Sequence, residues 1–408
     1  MSKLEELIAQ LCPNGVEYKT LGEIAIDVFR GAGIKRDEVT EEGIPCVRYG
    51  EIYTTYGVWF DECVSHTVLE NVASPKYFEN GDILFAITGE SVEDIAKSCA
   101  YVGHEKCLAG GDIVVLKHNQ NPKYLAYALS TTDAQMQKSK GKVKSKVVHS
   151  SVPAIKEIVV PIPPLPVQSE IVRILDTFTE LTEELTEELT ARKKQYEYYR
   201  DELLTFGDDV RLLPLSEIFN TRNGYTPSKT NSEFWTNGTI PWFRMEDIRE
   251  NVRILSDSIQ HVSESAIKGN PFPANSIIVA TSATIGEHAL ITVESLANQR
   301  FTYLMLKEQY KDKFDTKFLY YYCFKLDAYC LSCLNQSNFA SVDMTKFGKF
   351  LFPVISLEEQ HSIVDILDRF DILCNDISAG LPAEIEARQK QYEYYRDKLL
   401  AFSKREEA

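Results

Sequence analysis

The sequence predicts an α+β chain in which two globular mixed α/β domains are separated and followed by long helices. Three observations predict it. One framework occurs twice in 408 residues. Apolar residues recur at spacings of three and four over two long segments. Short β-rich runs, such as 82–88 and 276–281, alternate with turns in the intervening parts. An internal repeat of this period means one structural unit used twice.

The repeat is sharpest at the helices. Val160-Pro161, Leu165, Gln168 and Ile171–Phe178 match Phe352-Pro353, Leu357, Gln360 and Ile363–Phe370 at an offset of 192. Ala191–Leu204 matches Ala387–Leu400 at an offset of 196. The extra four residues are close to one helical turn, so the facing stripe is largely kept. Ile171, Phe178, Leu181, Leu185, Leu189, Tyr196, Tyr199 and Leu203 form the first stripe. Ile363, Phe370, Tyr392, Tyr395 and Leu399 belong to the second. Spacing of this kind predicts helices packed along a seam. The paired Tyr-Glu-Tyr-Tyr-Arg runs, at helical spacing, read as packing for the helix pair or for a partner protein rather than as platforms for bases. Proline precedes each helix, and Gly380-Leu381-Pro382 predicts a kink or break, with Pro382 able to open a new helix. Inside the first helix, Leu-Thr-Glu-Glu at 181–184 repeats at 185–188. Its glutamates read as a solvated face.

These signals divide the chain into a first domain (1–165), a central helix (166–208), a second domain (209–357) and a C-terminal helix (358–408). The domains repeat more faintly. Leu21–Ile24 matches Leu215–Ile218, Ile44–Arg48 matches Ile240–Arg244, and Pro122–Leu125 corresponds to 315–319. A shared framework with divergent interiors suggests one scaffold doing one job on two targets.

Composition narrows the function. No apolar run approaches the ~18 residues a membrane span needs, and no signal pattern opens the chain, which predicts a soluble cytoplasmic protein. Nine cysteines without regular spacing suit a reducing compartment. Cys330 and Cys333 form a CxxC without a second half, so they read as core cysteines rather than a zinc site, and no metal is expected. The net charge of −16 argues against nucleic acid at first sight. However, 168–206 and 358–408 each carry −5, which leaves −6 elsewhere. Bulk charge therefore decides little.

Catalytic motifs are weak. Asp27–Gly33 looks like the glycine loop of amino-methyltransferases, but Asn121-Pro122-Lys123-Tyr124 has lysine where such enzymes need a second proline. The second copy reads Asn220–Tyr225 without the glycine pattern, so a turn is the preferred reading. No GxxxxGK[ST] sequence occurs, and no histidine repeats between the copies. No catalytic residue is assigned.

Candidate DNA contacts are clearer. The stretch 138–149 has five lysines and no acid. Lys138, Lys140, Lys142, Lys144 and Lys146 suit a phosphate strand, or form a solvated loop. The corresponding Asn335, Gln336 and Asn338 offer amides suited to adenine or phosphate. Arg48 and Arg244 follow matching Ile-Pro strands. They suit a guanine edge, a phosphate or a structural salt bridge.

The whole chain resembles the specificity subunits of type I restriction–modification enzymes. The resemblance rests on the two-domain order, on Pro161–Ile171, on the tetrapeptide repeat, and on the Lys-Gln-Tyr-Glu-Tyr-Tyr-Arg-Asp block at both helices. It implies two target-recognition domains, each reading half of a bipartite, asymmetric DNA site. It implies helices that pair antiparallel in a pseudo-two-fold relation. It also implies two modification subunits using S-adenosylmethionine and two restriction subunits using ATP and magnesium, with no cofactor and no catalysis on this chain. A self-contained DNA adenine methyltransferase and a coiled-coil scaffold without a DNA role are the alternatives.

Overall fold

The computed structural model describes residues 2–142, 147–250, 253–335, 340–376 and 379–405. The chain forms two compact units. Unit 1 holds residues 1–184 and 386–408, and unit 2 holds 185–385.

Both units use one sheet order. In unit 1 a five-stranded sheet runs Ala25–Arg30, Ile113–His118, Ile83–Ala86, Ser98–Tyr101, Trp59–Phe60. Unit 2 repeats it with Phe219–Asn223, Phe301–Leu306, Ser276–Ala280, His288–Ile291, Ile254–Leu255. The first four strands are antiparallel and the last is parallel in both. Successive side chains of a strand point to opposite faces, and here both faces are covered. Ile83 and Phe85 enter the core beneath the helices, whereas Leu84 and Ala86 enter a second core. In unit 2, Ile277 and Val279 face the helices while Ile278 and Ala280 face the other way. Burial on both sides explains why these runs are continuously apolar rather than alternating.

The second core is closed by a smaller sheet. In unit 1 it contains Ser65–Thr67, Ile44–Val47 and Cys107–Ala109 as neighbours. In unit 2 the equivalents are His261–Val262, Ile240–Phe243 and Leu296–Ala297. This layer carries the candidate site.

A short antiparallel pair ends each domain: Tyr18–Thr20 with Val159–Pro161, and Leu212–Pro214 with Leu351–Pro353. The chain then enters its helix. The repeated glutamine fixes that entry. Gln168 is fully buried, donating to the Pro163 carbonyl (2.7 Å) and accepting from the Asn121 amide (3.0 Å). Gln360 donates to the Lys313 and Ile355 carbonyls and accepts from the Asp315 amide (2.8 Å).

The central helix is continuous over Leu165–Leu203. The second copy is broken into Leu357–Asn375 and Leu381–Leu399, so of the kink or break that the Gly-Leu-Pro signal predicts, the structure has the break. A Cβ at Gly380 would overlap the Ile372 carbonyl oxygen, so this break demands glycine. Within unit 1, Phe178 stacks on Tyr395 (ring centroids 5.5 Å). Within unit 2, Tyr196 and Tyr199 stack on Phe370 (6.1 and 5.7 Å). Each contact joins an early position of one helix copy to the late, tyrosine-rich part of the other. That is the order an antiparallel pair requires.

Candidate nucleic-acid interface

The smaller sheet of each unit presents a cleft built on one backbone frame. In unit 1 the strand Ile44–Val47 runs parallel to Cys107–Ala109. Beyond their ends the Gly110 amide donates to the Val47 carbonyl (2.8 Å) and the Ala32 amide to the Ala109 carbonyl (2.9 Å). Unit 2 repeats both bonds. The Asn298 amide donates to Phe243 (3.0 Å) and the Tyr225 amide to Ala297 (2.8 Å). Gly31 and Gly224 allow this approach, because a Cβ at either would overlap the facing carbonyl oxygens of Gly110 or Ala297.

This corrects the expected turn at Asp27–Gly33. Ala25–Arg30 is a strand of the large sheet, and Gly31 is present for close backbone packing. Gly224 is its counterpart in the second copy. The first glycine of the methyltransferase-like pattern thus has a structural origin.

Arg48 and Arg244 follow the matched strands. Each backbone amide is held by a carboxylate three residues on: Arg48 by Glu51 (3.0 Å) and Arg244 by Asp247 (2.6 Å). Their guanidinium groups differ. Arg48 is closed onto Glu51, with Nη2 3.0 Å from Oε1, and Ser65 donates to the same oxygen at 2.8 Å. The Nε of Arg244 is buried without a hydrogen-bond partner, and the Glu246 carboxylate lies 3.9 Å away. Such a donor is costly to leave unmet.

The unit 1 cleft, about 620 Å³, is lined by Gly33, Ile34, Arg36, Arg48–Glu51, Thr54 and 110–112. Asp112 is bound there to Arg30 at 2.5 Å. The unit 2 cleft, about 630 Å³, includes Thr226, Lys229, Trp235, Trp242, Arg244, Gln260 and 298–300. A further cavity of about 530 Å³ in unit 1 shares Tyr49, Gly50 and Thr54 with its cleft and includes Val147 of the lysine-rich stretch.

Lys138 is corrected: it is 5% exposed, and its amine donates to the Leu129 carbonyl (2.7 Å) and Ser98 Oγ (3.2 Å). Burial pushes its pKa down to about 7, with Arg396 adding to the shift. It belongs to the core because the helix Thr132–Ser139 turns that position inward. Lys140 is exposed at the end of that helix, and Lys142 is half-buried. Asn335 is exposed, with its side-chain amide near Ser341 Oγ and the Val342 carbonyl. Lys144, Lys146, Gln336 and Asn338 lie outside the described residues.

Sequence reading missed Trp235, Gln260 and the turns 110–112 and 298–300. A signal was present. Leu108-Ala109 and Leu296-Ala297 are matching dipeptides before divergent triplets.

On the helices, Ile171, Tyr196, Ile363 and Tyr392 are buried. Phe178, Leu181, Leu185, Leu189, Leu203, Phe370 and Leu399 are half-buried. Tyr199 and Tyr395 are stacked yet partly exposed. Among the described residues, no group of His, Cys, Asp and Glu could hold a metal, and no helix is long and apolar enough to cross a membrane.

Comparisons with known proteins agree on one family. A model described as the type I restriction modification DNA specificity domain matches residues 13–192 and again 208–387. The EcoprrI specificity subunit of Escherichia coli is 58% identical over 213 residues, which is 50% of this chain and 53% of that relative. The chain thus spans about half of that relative's length. The EcoR124I/EcoR124II specificity subunit of E. coli is 40% identical over 299 residues, 70% of this chain and 72% of that one. A solved chain from work on complex assembly and conformational transition of the type I R-M system has a TM-score of 0.63 at 16% identity. It covers 95% of this chain and 98% of that one, a likeness of fold.

Proposed function

The chain belongs to the type I restriction–modification DNA specificity family, and we propose on that premise that it reads a bipartite, asymmetric site on double-stranded DNA. The domains at 1–165 and 209–357 each read one half. The observation that carries this reading is the pair of clefts: one backbone frame, two different linings. A shared frame presents both surfaces in the same way, and the divergent side chains allow two different base sequences.

The helical segments, 166–208 and 358–408, hold the partners: two modification subunits and, in a complete enzyme, two restriction subunits. The repeated tyrosine blocks support equal docking of two copies of one partner. Methyl transfer from S-adenosylmethionine and ATP- and magnesium-dependent cleavage reside on those partners, acting in the cytoplasm. This chain supplies sequence choice and assembly.

Expression with a modification subunit, followed by sequencing of methylated bases, tests the reading. The expected result is one motif with two dissimilar halves around an unspecified spacer. Methylation by the purified chain alone, or a single contiguous motif, would overturn it.

A further inference from the structure

We propose that the cleft of unit 2 reads a guanine in the major groove through Arg300, with Arg244 beside it, and that the matched position of unit 1 does not. The inference rests on the DNA-reading function above and names the base and the residues.

The unit 2 cleft is rich in free donors. Arg300 stands on a fixed turn: its amide donates to Asn298 Oδ1 (2.9 Å), and its carbonyl accepts from the Thr281 amide (2.9 Å). The neighbouring Gln299 accepts a bond from Thr226 Oγ1. The Arg300 side chain is exposed, and among the described residues no carboxylate lies within ion-pair distance of it. Arg244 adds a buried Nε with no partner. Lys229 is exposed on the same lining, whereas Glu246 is its acid.

The walls favour a base over a phosphate. The Trp235 and Trp242 indole N–H groups are already used, on the Ser228 and Tyr225 carbonyls (3.0 and 3.1 Å). Trp242 is nearly fully buried and Trp235 half-buried, so the indoles add an apolar wall and no free donor. Walls of this kind keep water from the base edge that an arginine meets in the groove, whereas a phosphate at the rim of the duplex stays hydrated and gains little from them. Among the bases, guanine presents two adjacent acceptors, N7 and O6, in the major groove. A guanidinium fork matches that pair in a way a lysine cannot.

At the matched positions unit 1 differs, while its cleft also holds the exposed Arg36. The position equivalent to Arg300 is Asp112, an acceptor bound to Arg30, and Arg48 is closed onto Glu51.

Methylome sequencing of the complex carrying Arg300→Ala or Arg300→Lys tests this. The wild-type motif should contain a guanine in one half. Both variants should lose the preference at that guanine by about tenfold or more, leaving the other half and the spacer unchanged. Arg300→Lys keeps the charge, so a mere phosphate contact predicts an unaltered motif for it. It also predicts evenly weaker methylation at all sites for Arg300→Ala. That outcome, or relaxation at a base pair lacking guanine, overturns the inference alone. A wild-type methylome without a bipartite motif overturns the function on which it rests.

Discussion

Lys138 carries its amine into an apolar interior, and this has a thermodynamic signature. In the fold its proton leaves near pH 7, because burial disfavours the charged form. In the unfolded chain a lysine holds its proton to about pH 10.4. Between those values the unfolded state binds more protons, so this group's contribution to stability rises with pH and is absent below about 7. Thermal melts from pH 7 to 9.5 should therefore show a gain in Tm that Lys138→Met lacks. Equal slopes for the two proteins would refute the buried-amine account. Five lysines in a short stretch read alike in sequence, yet the first lies inside. Composition does not say which way a helix turns its last residues. Gly224 is a second case. Gly224→Ala is expected to destabilise unit 2 by about 1–3 kcal/mol, since a Cβ has no room beside the Ala297 carbonyl. Urea unfolding measures it.

The helices show how a repeated motif becomes a repeated contact. Asp176 accepts from Lys123 Nζ (2.8 Å) and Tyr127 OH (2.7 Å), which docks the helix Pro122–Leu129 on the central helix. Asp368 accepts from Lys317 Nζ (2.5 Å) and Tyr321 OH (2.7 Å), which docks Thr316–Ser332 on the helix Leu357–Asn375. These pairs are partly exposed, so solvent weakens the ionic part. Asp368→Ala should cost about 1–3 kcal/mol, mostly by stranding the Tyr321 hydroxyl. Asp368→Asn keeps an acceptor for that hydroxyl and should cost less. Chemical denaturation of both variants decides, and equal losses would count against the hydroxyl's role. The aspartates were visible as repeated residues, but their partners sit about 50 positions upstream. No local pattern links them.

At the scale of the molecule, the boundary between the compact units falls at Glu184/Leu185, between the first two Leu-Thr-Glu-Glu units. Glu183, Glu184, Glu187 and Glu188 are all exposed, as the solvated-face reading expects. Four helical residues add ~6 Å, comparable to one or two base pairs of DNA. Deleting Leu185–Glu188 is expected to shorten the methylated motif's spacer by about that much and to leave both halves unchanged. An unaltered spacer in methylation sequencing would refute the helix as a ruler.

The duplication, the long helices and an irregularity at Gly380, a kink or a break, were determined by sequence alone, because apolar period and glycine–proline chemistry are properties of the local chain; that it is a break came from the structure. What only the tertiary structure decided is which surfaces meet. Each unit takes one helical part from each copy of the repeat, with Phe178 against Tyr395 and Phe370 against Tyr196. An apolar stripe states that a face must be covered and not what covers it. The clefts follow the same rule. Arg48 and Arg244 look equivalent in sequence. Glu51 occupies one, the other is left with an unmet donor, and residues 110–112 or 298–300 complete each lining. Those neighbours are distant along the chain, and only folding brings them within reach.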